Sequence, residues 1–443
     1  MSGSLTFVAK PVAGNVAGDV LVPGDKSVSH RSIMFGSLAD GVSHVKNFLP
    51  GDDCLATMNA FKAMGVQIEG PDADNNVTIH GVGIHGLQQP KQQIDIGNSG
   101  TSIRLMSGIL AGQNFATSMA GDVSLNKRPM MRVVTPLQQM GADIHASDDG
   151  TPPVVVKGGS ILTGIDYVLP MASAQVKSCV LLAGLYANGT TTVTEPGITR
   201  DHTERMLKAF GYQVDVDGNK VSVQGGGRLT ACDITVPGDI SSATFFIIAA
   251  LIAKQGSLTL RNVGMNPTRI GVLNIVKQMG GNIEITNQRF AGAEPVADLV
   301  VHASALHGID IEEADVPLAI DEFPAIFIAA ACAQGTTRLR NAQELRVKES
   351  DRIQAMADGL VELGIDCTVV DDGIDIIGGK MTGGKINSHH DHRIAMSFAI
   401  ASLRASDTIT ILECENVATS FPTFVDIANR VGLHIEQNVE KQQ

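Results

Sequence analysis

The sequence predicts an α/β protein of two domains, each built from three copies of one βαβαββ unit. A polar cluster followed by a long apolar helix recurs six times along the 443 residues, and such a period is typical of one supersecondary unit used repeatedly. A second set of six helices ends in an apolar residue and a glycine, which caps a helix because it adopts the left-handed conformation without strain. These glycines are Gly65, Gly141, Gly211, Gly280, Gly364 and Gly432.

Each unit contains two helices and several strands. A short strand follows the first helix, as in GVSHVKNF, and the second helix opens with its own polar cluster, as in GDDCLATM. Alternating residues after the second helix predict two further strands. The stretches VPGDKSVS (22–29) and VPGDISS (236–242) resemble each other. Proline and glycine set an extended residue and then a turn there, so we interpret both stretches as crossings between domains.

Composition and charge restrict the partners of the protein. Hydrophobic residues make up 44% of the chain and the net charge is −13, which argues against nucleic acid or an anionic membrane as a partner. No apolar run reaches the ~18 residues of a membrane span, and no basic segment followed by an apolar one predicts a signal peptide. The six cysteines are scattered without C-x-x-C spacing, which is typical of reduced residues in a cytoplasmic protein.

The first repeat opens with PGDKSVSHR. A helix N-terminus presents free N–H groups and a positive partial charge, so a lysine, a serine and an arginine there suggest a bound phosphate. The P-loop pattern G-x-x-x-x-G-K-[ST] does not match, because Asp25 separates Gly24 from Lys26. Taken alone, a solvated helix cap explains this stretch equally well.

Nearly every charged cluster falls at the start of a helix. Basic residues there oppose the helix dipole at a cost of ~0.3–1 kcal/mol each, so their repeated use indicates a strong anion. Asp321 and Glu349 would join Lys26 in the same positive site, where shifted pKa values favour proton transfer. The clusters contain Lys26, Ser27, Arg31, Asn98, Gly100, Thr101, Arg104, Arg128, Ser173, Gln175, Lys177, Arg200, Asp201, Asp321, Glu322, Lys348, Glu349, Asp351, Arg352, Asp391, His392 and Arg393.

Two of these clusters also have simpler explanations. In KESDR, Glu349 and Arg352 have the i,i+3 spacing of an ordinary helical ion pair. In HHDHR, His389, Asp391 and His392 could bind a metal ion. The adjacent arginine disfavours a cation, however, and no second ligand cluster is evident.

Several motifs together resemble the 5-enolpyruvylshikimate-3-phosphate synthase family, also called 3-phosphoshikimate 1-carboxyvinyltransferase. They are PGDKSVSHR, GNSGTSIRLM, LNKRPM, PMASAQVKS, AIDEFPAI, RVKESDR and DHRIAMS, and the resemblance runs from about residue 20 to residue 430. SAQVKS, TRDHTE and ATSFP resemble the bacterial class II branch. The resemblance implies the enolpyruvyl transferase fold, with three βαβαββ units per domain around an interdomain cleft. It also implies an N-terminal domain over 26–238 and a C-terminal domain of 1–25 with 239–443.

The resemblance implies a reaction as well. The enolpyruvyl group of phosphoenolpyruvate moves to the 5-hydroxyl of shikimate 3-phosphate, and phosphate leaves. The route is addition and then elimination through a tetrahedral intermediate, in the shikimate pathway to chorismate and the aromatic amino acids. No cofactor and no metal is implied. Both substrates carry a phosphate and a carboxylate, which accounts for the many cations.

Matched positions imply a role for individual residues. Catalytic roles fall to Lys26, which bridges both substrates, to Asp321, which takes the 5-hydroxyl proton, and to Glu349, the acid for the methylene carbon. Shikimate 3-phosphate is bound by Lys26, Ser27, Arg31, Ser173, Ala174, Gln175, Arg200, Asp321 and Lys348. Phosphoenolpyruvate is bound by Lys26, Gly100, Arg128, Gln175, Arg352 and Arg393.

Three positions depart from the family pattern. Thr419 stands in ATSFP where many members have a lysine, Ala174 replaces the second serine of Ser-Ser-Gln, and Leu105 replaces a proline common in the other branch. Any contact at Ala174 must then be through the main chain. Members with alanine at the position of Gly100 tend to resist glyphosate, so we expect glyphosate to inhibit this protein.

Two other functions fit parts of the sequence. UDP-N-acetylglucosamine enolpyruvyl transferase shares the fold and the donor, but it usually carries a cysteine in the loop that reads AGDVSLNKRPM here, where none lies between Cys54 and Cys179. A non-catalytic anion-binding scaffold would tolerate loss of Asp321 and Glu349, and both are present. Family members are usually monomers, and we expect a monomer.

Overall fold

The structure, a computed structural model, describes residues 4–440. The chain forms two compact units, and it passes between them within the two PGD stretches and again on either side of Ala291–Glu294. The N-terminal unit comprises Gly24–Pro237 and Ala291–Glu294, and the C-terminal unit comprises the chain up to Pro23, Gly238–Phe290 and the chain from Pro295 onward.

Residues 4–440 contain twelve α-helices, two for each predicted repeat. The first six belong to the N-terminal unit and the last six to the C-terminal unit. Each of these helices is too short or too polar to span a lipid bilayer. The helices are α1 (Lys26–Leu38), α2 (Asp52–Ala63), α3 (Gly100–Ala111), α4 (Met131–Gln139), α5 (Ala174–Gly184), α6 (His202–Ala209), α7 (Ile240–Ile252), α8 (Gly271–Gln278), α9 (Phe323–Cys332), α10 (Arg352–Glu362), α11 (His392–Ala401) and α12 (Phe424–Arg430).

The strands of the same residues form six sheets, three in each unit. They are β1 (Ser4–Ala9), β2 (Gly18–Leu21), β3 (Ala39–Lys46), β4 (Gln67–Glu69), β5 (Val77–Val82), β6 (Ile94–Asp95), β7 (Thr117–Ala120), β8 (Ile144–His145), β9 (Val154–Val156), β10 (Asp166–Val168), β11 (Thr190–Thr194), β12 (Val214–Asp217), β13 (Lys220–Gln224), β14 (Leu229–Thr230), β15 (Ile234–Thr235), β16 (Ser257–Gly264), β17 (Asn282–Ala291), β18 (Glu294–His302), β19 (Thr336–Leu339), β20 (Cys367–Val370), β21 (Gly373–Ile377), β22 (Gly384–Asn387), β23 (Ile409–Leu412) and β24 (Ile435–Glu440).

The second repeat shows the plan of the fold. β6 pairs in parallel with β7, and β9 pairs antiparallel with both β7 and β8. Helix α3 connects the parallel strands and α4 follows β7, which gives the order βαβαββ. A parallel connection needs a crossover of this kind. The predicted α/β class is confirmed.

Three repeats take a strand from elsewhere in the chain. β14 and β15 pair in parallel with β3 and complete the first repeat. β2 pairs in parallel with β16 in the fourth repeat, and β1 lies between β23 and β24 in the sixth. The N-terminal segment therefore folds with the C-terminal unit. In the fifth repeat, as far as residues 4–440 show, isolated bridges at His307 and Asp310 replace the first strand.

The helix ends follow the predicted chemistry. All six glycines expected after the second helices have left-handed φ, from 78° at Gly211 to 117° at Gly432, so the predicted caps are confirmed. Five of the first helices begin at a side chain that accepts a hydrogen bond from an N–H of the first turn. These N-caps are Asp25, Ser99, Ser173, Asp239 and Asp391.

The first helices of the repeats form the core of each unit. α7, α9 and α11 pack against one another, and every residue of α7 is buried. In the other unit α3 packs so closely on α5 that a Cβ at Gly108 would lie 2.1 Å from the carbonyl oxygen of Cys179. Burial fixes these helices, and their polar N-termini are therefore held in place.

Candidate active site

The start of α1 carries an ion pair. The Asp25 carboxylate caps the helix by accepting from the Val28 N–H at 2.8 Å. The Lys26 ammonium contacts the carboxylate of Asp53, at the start of α2. A lysine at this end of a helix gains nothing from the dipole, so its placement needs an anion, and Asp53 supplies one.

Arg31 lies one turn further along α1 and is buried. Its Nε donates to Thr203 Oγ1 at 2.8 Å and its Nη2 to Ser178 Oγ at 3.0 Å. Its Nη1 donates to the Ser27 carbonyl at 3.0 Å. Burial lowers the pKa of Arg31 to about 10, against the charge of nearby carboxylates, and the positive charge of Arg200 acts in the same direction as burial. Arg31 is fixed by α5 and α6.

The start of α3 brings cations close to a glycine. A Cβ at Gly100 would lie 3.0 Å from Arg128 Nη1 and 3.2 Å from Arg104 Nη1. Arg104 Nη1 donates to Gln175 Oε1 at 2.5 Å, and the Gln175 amide donates to Thr101 Oγ1 at 3.1 Å. The helix starts of α3 and α5 are therefore hydrogen-bonded to each other around two guanidinium groups.

Arg128 does not begin a helix. It follows the 3-10 turn Leu125–Lys127, and α4 starts three residues later at Met131. Its Nη2 donates to Asn98 Oδ1 at 2.7 Å, and the Asn98 amide donates to Asp122 Oδ2 at 2.6 Å. The guanidinium is thus aimed at the start of α3 by the loop before it.

The start of α5 uses both side chain and main chain. Ser173 Oγ accepts from the Val176 N–H at 3.4 Å, and Ala174 is the first helical residue, with no side-chain donor of its own. Lys177 differs from the prediction that groups it with the site. It is buried, and its Nζ lies 2.7 Å from both Glu195 Oε1 and Glu204 Oε1. Lys177 therefore forms buried ion pairs with two glutamates of its own unit.

In the C-terminal unit, Arg352 organises three carboxylates. Its Nη1 donates to Asp321 Oδ1 at 3.2 Å, and its Nη2 donates to Glu349 Oε2 at 2.6 Å. Its Nε donates to Asp391 Oδ2 at 2.8 Å. Lys348 Nζ lies 3.5 Å from the same Asp321 oxygen. The predicted acid–base residues Asp321 and Glu349 are therefore held by one guanidinium.

The charges of this cluster stabilise one another. Burial opposes the charge of Arg352, but the carboxylates of Asp391, Glu349 and Asp321 outweigh it and raise the pKa of the guanidinium. Burial also acts against the charge of Asp391, and Arg352 outweighs it, so the pKa of Asp391 is lowered. Both groups stay ionised at neutral pH.

Arg393 lies in the first turn of α11. Its Nη1 donates to the main-chain carbonyl of Asp321 at 2.9 Å and lies 3.9 Å from Glu322 Oε1. Within residues 4–440, Nη1 makes all the side-chain hydrogen bonds of Arg393 to protein. Its Nε and Nη2 donate no hydrogen bond to another part of the described chain.

The positions that depart from the family pattern and the histidines of HHDHR remain to be placed. Thr419, at the position of the expected lysine, donates to the Asn416 carbonyl at 2.7 Å, and Leu105 lies in the hydrophobic core. His389 and His392 do not form a ligand set, because residues 4–440 contain no group of three or more His, Cys, Asp or Glu arranged to hold a metal ion.

Sequence reasoning missed Asp53 and did not assign Asp391 to Arg352. Asp53 was visible only as part of GDDCLATM, and its partner Lys26 lies 27 places earlier. Asp391 was grouped with histidines, whereas it is the strongest partner of Arg352. The only available signal was that each lies in the polar cluster of a helix start, as do the residues that the motifs identified.

His30, on α1 beside this site, makes stability depend on pH. Its Nδ1 lies 2.8 Å from Thr57 Oγ1, and its buried Nε2 has no hydrogen-bond partner within residues 4–440. Burial and the charges of Lys26 and Arg31 hold the pKa of His30 well below its ordinary value. The imidazole is therefore neutral in the folded protein, whereas the unfolded chain protonates it below about pH 6.5. The contribution of the neutral imidazole to the free energy of unfolding is complete above that pH. It is lost as the pH falls, at up to about 1.4 kcal/mol per pH unit.

We expect the urea midpoint of the wild type to decrease as the pH is lowered from 6.5 to 5.5. In the His30→Gln variant the free energy of unfolding should depend less steeply on pH, by the contribution of about one proton. His44→Gln is the control, because His44 is exposed on β3 and its replacement should leave the pH dependence of the midpoint as in wild type. Equal slopes for wild type and His30→Gln would contradict the assignment.

Comparison with known proteins decides the family. A sequence model of the EPSP synthase family (3-phosphoshikimate 1-carboxyvinyltransferase) matches residues 12–427. The chain belongs to the EPSP synthase family. The family predicted from the motifs is therefore confirmed, and so is the predicted status of the chain as a transferase. The EPSP synthase family also explains why anion-binding groups recur at helix starts.

Individual relatives agree over almost the whole chain. A 3-phosphoshikimate 1-carboxyvinyltransferase from Methylococcus capsulatus is 60% identical over 98% of this chain and 98% of its own length. One from Hydrogenovibrio crunogenus is 58% identical over 98% of this chain and 99% of its own length. The solved EPSP synthase of Acinetobacter baumannii has a TM-score of 0.89 at 58% identity, covering 98% of this chain and 100% of that one.

A more distant structure bears on the fold alone. The enolpyruvyl transferase NikO from Streptomyces tendae has a TM-score of 0.80 at 16% identity, and the match covers 99% of this chain and 100% of that chain. The predicted enolpyruvyl transferase fold of this chain is thus confirmed by a structure of low sequence identity as well.

Proposed function

We propose that this protein transfers the enolpyruvyl group of phosphoenolpyruvate to the 5-hydroxyl of shikimate 3-phosphate, releasing phosphate in the shikimate pathway. The observation that carries the proposal is the cluster of Asp321, Lys348, Glu349 and Arg352. Two carboxylates suited to proton transfer are held by cations suited to anionic substrates, in a chain of the EPSP synthase family.

In the addition step, the Asp321 carboxylate takes the proton of the 5-hydroxyl as that oxygen bonds to C2 of phosphoenolpyruvate. Protonated Glu349 gives a proton to the methylene carbon, which becomes a methyl group. The product is a tetrahedral adduct that retains the phosphate. In the elimination step the C–O bond to phosphate breaks, the methyl carbon returns a proton to Glu349, and the double bond forms again. The phosphate leaves with the proton that Asp321 took from the hydroxyl, so both carboxyl groups return to their starting states and the atoms and charges balance.

The N-terminal unit supplies the groups for shikimate 3-phosphate. We assign Ser27 and Arg31 to the ring and carboxylate of this substrate, and Lys26 to a position that bridges both substrates. The phosphate contacts come from Ser173, Gln175 and the Ala174 N–H, together with Arg200. The first-turn N–H groups of α5 support this assignment, because a helix N-terminus binds phosphate through them. Lys348 and Asp321 complete the set.

Phosphoenolpyruvate is assigned to the remaining guanidinium groups. Arg128, Arg352 and Arg393 grip its phosphate and carboxylate, and arginine suits both anions because its planar fork donates two parallel hydrogen bonds. Gln175 adds a polar contact. Gly100 leaves room for the phosphate at the start of α3, where an added Cβ would stand between two guanidinium groups.

The test is phosphate release from phosphoenolpyruvate with and without shikimate 3-phosphate. We expect release only when both are present. Phosphate release with UDP-N-acetylglucosamine in place of shikimate 3-phosphate would mean that the enzyme uses a different acceptor. Binding of both substrates with no phosphate release under any condition would favour an anion-binding scaffold.

We expect glyphosate to inhibit this reaction and the Gly100→Ala variant to raise its inhibition constant by about tenfold or more, a loss of ~1.4 kcal/mol. The new methyl group would lie 3.0 Å from Arg128 Nη1 and force that guanidinium to shift. The backbone at Gly100 needs no positive φ, so the fold accepts alanine.

The control is Gly197→Ala, since an added Cβ there meets no heavy atom within 4 Å. Its inhibition curve should match wild type. An unchanged curve for Gly100→Ala would remove Gly100 from the inhibitor site.

The proposal extends to the domain bounds, the oligomeric state, the cofactor requirement and the location of the enzyme. We infer two domains corresponding to 26–238 and to 1–25 with 239–443, a monomer, and catalysis without a metal or organic cofactor. We place the enzyme in the cytoplasm, where its six free cysteines would stay reduced. Size-exclusion chromatography with light scattering tests the monomer, and full activity after dialysis against EDTA tests the absence of a metal requirement.

A further inference from the structure

A buried charged network lies behind Asp321 and Arg393 in the C-terminal unit. Its members come from the starts of three elements: Asp239 and Ser241 at α7, Arg269 in the turn before α8, and Glu322 at α9. All four are buried, and only 1% of the surface of Glu322 is exposed. None of the four is a substrate-binding residue in the proposed function.

Glu322 is the centre of this network. Its Oε1 accepts a hydrogen bond from Ser241 Oγ and lies 3.8 Å from Arg269 Nη2. Arg269 Nη2 in turn donates to Ser241 Oγ at 2.6 Å and lies 3.3 Å from Asp239 Oδ1. The fixed side of Glu322 thus faces a buried arginine and a buried hydroxyl.

The same oxygen reaches toward the proposed phosphoenolpyruvate site. Glu322 Oε1 lies 3.9 Å from Arg393 Nη1, the atom that also donates to the main-chain carbonyl of Asp321 at 2.9 Å. Arg393 is therefore positioned between the Glu322 carboxylate and the peptide of the proposed general base. This leaves its other nitrogens available to an anion.

A buried carboxylate of this kind is costly unless its charge is used. Glu322 Oε2 is buried and accepts no hydrogen bond within residues 4–440. Removing a charge from water costs several kcal/mol, and an apolar residue of similar volume is often equally stable in such a position. The buried charge of Arg269 accounts for a carboxylate here, and the contact with Arg393 gives the same carboxylate a second use, at the edge of the proposed site.

We propose that Glu322 is a positioning residue that aims Arg393 at the carboxylate or phosphate of phosphoenolpyruvate, with Arg269 and Ser241 holding Glu322 in turn. The proposal rests on the role of Arg393 in the proposed function. It predicts that loss of the Glu322 charge weakens the binding of phosphoenolpyruvate but not that of shikimate 3-phosphate, and that this effect requires Arg393.

The decisive variant is Glu322→Gln, which keeps the size and an accepting oxygen but removes the charge. We expect KM for phosphoenolpyruvate to rise about tenfold or more, because Arg393 loses the ion pair that orients it. KM for shikimate 3-phosphate should stay within about twofold, because most of its assigned contacts come from the N-terminal unit and none is made by Arg393. The Ser241→Ala variant, a milder change, should shift the same constant in the same direction by a smaller factor.

A double-mutant cycle separates positioning from general damage. Once Arg393→Lys is present, adding Glu322→Gln should change KM for phosphoenolpyruvate by less than about twofold. The matched control is Asp298→Asn, because Asp298 is an equally buried carboxylate of the same unit that accepts from Arg261 Nη1 at 3.1 Å. Asp298→Asn should lower the melting temperature and leave both KM values unchanged.

Three results would overturn the proposal: a KM for phosphoenolpyruvate in Glu322→Gln within twofold of wild type, an equal rise in both KM values, or additive effects in the cycle. If Glu322→Gln does not fold, Ser241→Ala alone decides between a selective and an unselective effect. Wild-type turnover of the two substrates is measured first, so failure of the proposed function is seen before any variant is judged.

Discussion

The Asp321→Ala variant will bind shikimate 3-phosphate and turn almost none of it over, with kcat lowered about 10²–10⁴-fold, the usual contribution of a general acid or base. Asp321 Oδ1 is fixed by Arg352 at 3.2 Å and Lys348 at 3.5 Å, so the carboxylate is positioned before substrate arrives. Alanine removes the proton acceptor and leaves both cations in place for the substrate anions. Calorimetry measures shikimate 3-phosphate binding, and phosphate release measures kcat.

The control for Asp321→Ala is Asp310→Ala in the same unit. Asp310 is exposed and pairs with Arg338 at 2.9 Å, so its loss should cost less than about 1 kcal/mol of stability and leave kcat within about twofold. A kcat for Asp321→Ala within tenfold of wild type would assign the proton transfer to another group. Loss of shikimate 3-phosphate binding together with turnover would show that Asp321 acts chiefly as a binding residue.

The Arg352→Met variant will be destabilised by about 3–5 kcal/mol, the range for removing one partner of a buried ion pair. Only 1% of this side chain is exposed, and it neutralises three carboxylates, of which Asp391 is fully buried. Methionine fills the space but leaves the Asp391 charge without compensation. The measurement is the urea midpoint of the unfolding transition, with the double variant Arg352→Met/Asp391→Asn expected to recover part of the loss.

Arg338→Met is the matched control for Arg352→Met. Arg338 also pairs with two aspartates, but it lies 49% exposed to solvent, where such pairs contribute less than about 1 kcal/mol. Equal midpoints for both variants would show that burial does not decide the effect. We expect Arg352→Met to lose phosphoenolpyruvate binding as well, because the same guanidinium is assigned to that substrate.

Much of the fold follows from local sequence. The left-handed glycines after the second helices were predicted from capping chemistry alone, and the turns before α1 and α7 from the proline and glycine of the PGD stretches. The use of β1 and β2 by repeats of the C-terminal unit was not derivable in that way, since a strand's partner depends on pairing over hundreds of residues. Only the family resemblance implied it.

The candidate site divides in the same manner. The motifs identified Arg352 and Lys177 alike as cations at helix starts, and the structure gives them different surroundings. Lys177 is enclosed by Glu195 and Glu204, whereas Arg352 faces the two predicted acid–base residues. The sequence offers no means of telling these cases apart, because the carboxylates that neutralise each cation lie outside its motif.

By itself the sequence determined the repeat, the α/β class and the family, and it predicted residues for the chemistry, because helix caps and motifs are local patterns of a few residues. Tertiary structure alone decided which charge neutralises which: Lys26 with Asp53, Arg352 with Asp391, and Glu322 between Arg269 and Arg393. The reason is physical. Electrostatic interactions depend on distance and burial, and these are set by the packing of helices that lie far apart in the chain.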